Sequence, residues 1–108
     1  MCSLSGWLTK KGKLSGKWKR RWFTLAENEL LYGDSKQSTP KRIPLEEATI
    51  KDASAEGKNL CFSLKPRDQS RTYYLRVDTR EELDAWMQAI CVAKISERHG
   101  DSQACSIQ

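Results

Sequence analysis

Trp18-Lys19-Arg20-Arg21-Trp22-Phe23-Thr24-Leu25 is short, basic and aromatic at once, and its reading decides what the rest of the chain must build. As a strand, with side chains alternating between faces, it sets Lys19, Arg21, Phe23 and Leu25 on one side and Trp18, Arg20, Trp22 and Thr24 on the other. Phe23 and Leu25 demand burial, so Lys19 and Arg21 are expected where the buried face ends and opens to solvent. A basic pocket belongs there. An edge strand that merely keeps itself soluble also carries Lys and Arg, so the neighbouring strand has to decide between the two readings.

That neighbour is Gly6-Trp7-Leu8-Thr9-Lys10, where Leu8 and Lys10 share one face and Trp7 and Thr9 the other. The connector Lys11 to Lys17 holds two glycines, Gly12 and Gly16, and reads as the loop of an antiparallel hairpin. Lys10 ends one strand as Lys19 and Arg21 begin the next, so three cations converge on one mouth. A third strand, Glu29 to Gly33, carries Leu30 and Tyr32 on one face. In a meander its far end is expected beside the start of the second strand, where the Tyr32 hydroxyl donates into the mouth. The plainer alternative is a core tyrosine with an exposed hydroxyl.

The 108 residues have room for one domain, which at this size buries roughly two-thirds of its unfolded surface. No apolar run approaches the ~18 residues of a membrane span, and Met1-Cys2-Ser3-Leu4 offers neither a secretory h-region nor a glycine for myristoylation. A cytoplasmic location is expected. The net charge of +5 matters less than its distribution: residues 1–26 hold seven Lys or Arg and no acid, whereas residues 27–108 hold 12 against 14 acids. Such segregation favours an anionic partner, a membrane surface or a nucleic acid. The cysteines Cys2, Cys61, Cys91 and Cys105 have no paired spacing and His99 is the sole histidine, so no metal site and no cofactor are expected. Cys61 and Cys91 are expected as small buried thiols.

Four more strands are expected beyond Asp34 to Pro40: Lys41 to Leu45, with Pro44 pushing it toward an edge, then Ala48 to Asp52, Leu60 to Lys65 and Arg71 to Val77. Lys41 and Arg42 are expected to point back toward the hairpin. Seven short strands suggest an antiparallel sandwich or barrel. The period then changes: Thr79 and Glu82 form a capping box, and Leu83, Trp86, Met87, Ile90 and Ala93 follow at helical spacing, so a final helix caps one end. From Ser96 the chain is a polar tail.

Taken jointly, the hairpin, Leu31-Tyr32, Ile43-Pro44-Leu45, Thr72-Tyr73-Tyr74-Leu75 and the helix with Trp86 resemble the pleckstrin-homology family over residues 3–95. The resemblance implies a mostly β fold: two orthogonal antiparallel sheets, seven strands in all, capped by a C-terminal α-helix. It implies a non-catalytic module that recruits proteins to phosphoinositide membranes. Members that bind 3-phosphorylated inositides strongly carry a Lys ending the first strand, a basic-x-Arg triplet early in the second and a Tyr late in the third. These positions are Lys10, Lys19 with Arg21, and Tyr32 here. The implied roles are Lys10 and Arg21 at the 3-phosphate, Lys19 at other ring phosphates and Tyr32 as hydroxyl donor, with PtdIns(3,4,5)P3 or PtdIns(3,4)P2 as the expected lipid. Lys13 and Lys17 add charge in the loop, and exposed Leu14 can enter the bilayer.

Residues 96–108 end in Cys105-Ser106-Ile107-Gln108, which fits a C-a-a-X box for prenylation. Its alternative is chance, which holds if the chain is cut from a longer protein. No His-based triad, metal cluster or Gly-rich phosphate motif opening a helix points to an enzyme. A nucleic-acid platform is not expected, because it needs ring faces exposed in series. A monomer is expected. The competing reading is a protein-interaction module whose lipid binding is weak and charge-driven.

Overall fold

The computed structural model describes residues 4–54, 60–67 and 69–95. Among the described residues seven strands, β1 (Ser5–Lys11), β2 (Trp18–Ala26), β3 (Glu29–Gly33), β4 (Lys41–Pro44), β5 (Thr49–Asp52), β6 (Cys61–Lys65) and β7 (Tyr73–Arg76), precede the helix α1 (Arg80–Ile95). All pairings are antiparallel, in the order β4-β3-β2-β1-β7-β6-β5. The fold is thus mostly β, but the two sheets expected from the sequence are hydrogen-bonded into one. β1 pairs with β2 along its full length and with β7 only through Thr9↔Arg76 and Lys10↔Leu75. That short seam joins the halves beside the hairpin's loop end.

Alternation decides which face is buried. Leu8, Phe23, Leu30 and Ile43 from one half meet Phe62, Leu64 and Leu75 from the other, and Leu83 and Ile90 of α1 close over them, each at most 2% exposed. Each such side chain stabilises the fold by about 1.5–3 kcal/mol relative to exposure. Trp86, 4% exposed, joins this cluster as a core anchor.

The helix starts as its sequence demands. Thr79 Oγ1 accepts from Glu82 N–H at 3.1 Å, while the Glu82 carboxylate accepts from Asp78 N–H at 3.0 Å, one residue earlier than a standard capping box. Arg80 ties the first turn to β5 through Asp52 at 3.5 Å. No helix among the described residues is long and apolar enough to cross a membrane. Cys61 is buried as expected. Cys91 is buried as well but disulfide-bonded, which corrects the expectation of a thiol there.

Candidate functional site

The hairpin loop is built by backbone hydrogen bonds: Gly12 N–H donates to Lys17 O at 2.7 Å and Gly16 N–H to Gly12 O at 3.2 Å. Gly16 takes the left-handed φ of +69° that closing this loop requires. Antiparallel register then sets Lys10 directly opposite Lys19 and Leu8 opposite Arg21. Lys10, Lys19 and Arg21 therefore share the inner face above Leu8 and Phe23. With Gly12, Ser15 and Lys17 they line a cavity of about 220 Å³. The sequence expectation of three cations at one mouth describes this arrangement, with Lys17 added from the loop.

Lys10 is the most constrained of them. Only 9% exposed, its pKa is lowered to about 8, first by burial and then by the charges of Arg71, Arg21 and Lys41. Its Nζ stands 5.4 Å from the Tyr32 ring centre and 5.7 Å from that of Tyr73, so aromatic faces partly replace lost hydration. A buried ammonium crowded by cations is poised for a polyanion.

Tyr32 sits deeper than expected. The short β2–β3 connection pairs Tyr32 with Phe23, in the middle of β2, and their rings stack at 5.1 Å. Tyr32 is buried, its pKa raised by burial and by Tyr73, and it stands behind Lys10 as an aromatic wall. Lys41 pairs with Tyr32 and adds to the charge felt by Lys10. Arg42 does not reach the mouth: with Ile43 buried, alternation turns Arg42 to the outer face, where it meets Glu29 at 3.4 Å. Lys13 lines a separate hollow of about 180 Å³ with Lys11, Arg71 and Tyr74. Leu14 is 95% exposed at the loop. Cys105 and the rest of the tail lie outside the described residues.

Two participants escaped the sequence reading. Arg71, from the connection before β7, lies over Tyr73 at 4.2 Å and contributes to the field at Lys10. Asp34 forms an ion pair with Arg21. A residue larger than Gly33 would collide with the Ser38 carbonyl, so glycine lets the β3–β4 connection fold back and holds Asp34 beside Arg21. A carboxylate thus occupies part of the guanidinium fork that a phosphate would use. Among the described residues no group of three or more His, Cys, Asp or Glu could hold a metal ion.

The PH domain family model matches residues 2–94. Human pleckstrin-2 is 39% identical over 87 residues, covering 75% of this chain and 25% of that protein. The mouse dual adapter for phosphotyrosine and 3-phosphotyrosine and 3-phosphoinositide is 43% identical over 89 residues, covering 79% of this chain and 31% of that protein. The chain therefore spans about a quarter to a third of the length of these relatives. Among solved structures, the C-terminal PH domain of pleckstrin in complex with D-myo-Ins(1,2,3,5,6)P5 superposes with a TM-score of 0.76 at 27% identity, covering 84% of this chain and 93% of that one.

Proposed function

The chain belongs to the PH domain family, and from that premise we propose that it is a membrane-recruitment module that reads a phosphorylated inositol headgroup in the mouth of the β1–β2 hairpin. Modules of this family bind phosphoinositides or proteins and are generally non-catalytic. The observation that carries the lipid reading is the buried, cation-crowded Lys10 beside Lys19, Arg21 and Lys17 in one cavity. Lys10 supplies a charge already stripped of water, Arg21 a planar fork suited to phosphate oxygens, and Lys17 and Lys19 further donors at the rim. Exposed Leu14 beside this cavity gives the bilayer an apolar contact.

A relative named for 3-phosphoinositide and a neighbour solved with an inositol pentakisphosphate support the ligand class. A 3-phosphorylated lipid, PtdIns(3,4,5)P3 or PtdIns(3,4)P2, is the specificity we assign, with the molecule peripheral to a membrane and monomeric. The domain is taken as residues 3–95.

The test is binding to vesicles carrying one phosphoinositide each at near-physiological salt, with Arg21→Ala alongside. One 3-phosphorylated lipid should stand out, and the variant should lose it by roughly 10- to 100-fold, the worth of a charge-assisted contact. Binding that tracks total anionic charge alone contradicts stereospecific reading. In that case the protein-interaction reading takes over.

A further inference from the structure

The residues that turn away from the core on β1, β2 and β7 form a second surface that the mouth does not use. β1, β2 and β7 contain no Asp or Glu. On the outer face Trp7 pairs with Trp22, Lys11 with Trp18, and Thr9 lies between Arg20 and Arg76. The indoles of Trp7 and Trp22 meet edge to face at 5.4 Å, and Trp22 Nε1–H donates to Thr24 Oγ1 at 3.1 Å. Each cation lies over a ring: Arg76 over Trp18 at 3.7 Å, Arg20 over Trp7 at 5.5 Å and Lys11 over Tyr74 at 5.6 Å. Trp7, at 43%, is the aromatic left most open to solvent.

We infer that this aromatic–cation ladder on the outer face of β1, β2 and β7 docks an acidic polypeptide segment. The charge on the face dictates the sign of the partner, since no carboxylate on these strands offsets Lys11 and Arg20. Trp, Tyr and Arg are the side chains that dominate binding energy at protein interfaces. A guanidinium resting on an indole keeps its N–H edge in the ring's plane and loses less freedom when a carboxylate arrives, which favours bidentate pairing. Bases fit less well, because the ring faces on which they would stack are occupied by cations. Trp7 lies four residues from Lys11 at the loop end, roughly 13 Å along the strand, so the ladder runs away from the Leu14 tip rather than toward a bilayer.

The inference goes beyond the lipid reading and rests on other residues, because alternation puts Lys10, Lys19 and Arg21 on the opposite face of the same hairpin. A lipid in the mouth and a peptide on the ladder are compatible on one molecule. Headgroup loss in Arg21→Ala bears on the first site alone.

The probe is a capped synthetic peptide of alternating Glu and Gly, with a twin carrying Gln in place of Glu, titrated into the ¹⁵N-labelled chain. The indole Nε1–H resonances of Trp7 and Trp18 should move with the acidic peptide and not with its twin. Arg20→Glu should weaken binding about tenfold or more, the worth of a charge-assisted contact, and Arg21→Ala should leave it unchanged. Arg20→Gln, which removes the charge without reversing it, serves where the glutamate variant loses its native spectrum. Equal shifts with the twin, shifts confined to the amides of Lys10, Lys19 and Arg21, or no shift at millimolar peptide would overturn the proposal. So would tighter binding of the ladder to oligothymidylate, or to phosphatidylserine vesicles, than to the acidic peptide.

Discussion

At the end closed by α1, the polar groups around the core are answered from within the chain: Thr79 and Glu82 cap the helix, Arg80 meets Asp52, and Leu83, Trp86 and Ile90 complete the apolar packing. At the hairpin end the same sheet leaves Lys10 buried among Arg21, Arg71 and Lys41, and the carboxylate that reaches this group, Asp34, is itself mostly exposed. The first end stabilises the fold; the second spends some of that stability to keep charge where water does not screen it. Sites poised for a ligand commonly carry such local cost. The contrast also explains why one hairpin can hold a pocket: Leu8, Phe23 and Leu25 anchor it below, so its upper residues need not pack.

The sharpest way to break this division is to cross it. Trp86→Ala, which empties a core site, should cost about 3–5 kcal/mol in denaturant unfolding, while the fraction still folded keeps its headgroup affinity. If affinity fell with the fold intact, the two ends would not be separable. Lys10→Met is the converse test. It should lower headgroup affinity by roughly 10- to 100-fold yet leave the melting temperature equal or higher, because it removes a desolvated charge. A lower melting temperature would mean that Lys10 is structural.

The shifted pKa gives a third test. Lys10 loses its proton near pH 8 in the free protein, and a bound phosphate holds the proton on. Headgroup affinity should therefore hold below pH 8 and fall by up to about tenfold per pH unit above it. Calorimetry in two buffers should show proton uptake on binding in that range. For folding the sign is opposite. The unfolded lysine, with its ordinary value of 10.5, binds the proton that the folded one has released, so stability should rise between about pH 8 and 10.5. The smallest expected effect is Asp34→Asn. Removing an exposed carboxylate that competes for Arg21 should raise affinity a few-fold, in line with the ~0.2–1 kcal/mol of such pairs. Unchanged affinity in vesicle binding would show that Asp34 yields to a ligand without cost.

What the sequence disclosed, and what it hid, follows from how local the signal is. The strands and the helix were legible because alternation and the capping residues are written in consecutive positions. The meeting of Lys10 with Lys19 followed from antiparallel pairing alone. Tyr32 was expected beside the start of β2, although counting back from the Ala26–Glu29 pair sets it opposite Phe23. Arg42 was expected to face the hairpin, although an inward Ile43 turns it outward. Arg71 and Asp34 were not legible. Both lie in connections whose place depends on distant contacts, the seam between β1 and β7 for one and the fold of the chain over Gly33 for the other. The joining of the two sheets was hidden for the same reason, since two residue pairs make the seam.

The most direct measurement is a titration of a soluble, 3-phosphorylated inositol tetrakisphosphate into the ¹⁵N-labelled chain, followed amide by amide. Saturable shifts are expected at Lys10, Gly12, Lys17, Lys19 and Arg21, with the helix-capped end silent. Shifts spread over Lys11, Lys13 and the outer face, or none at all, would contradict the claim that the inner mouth of the hairpin is the headgroup site.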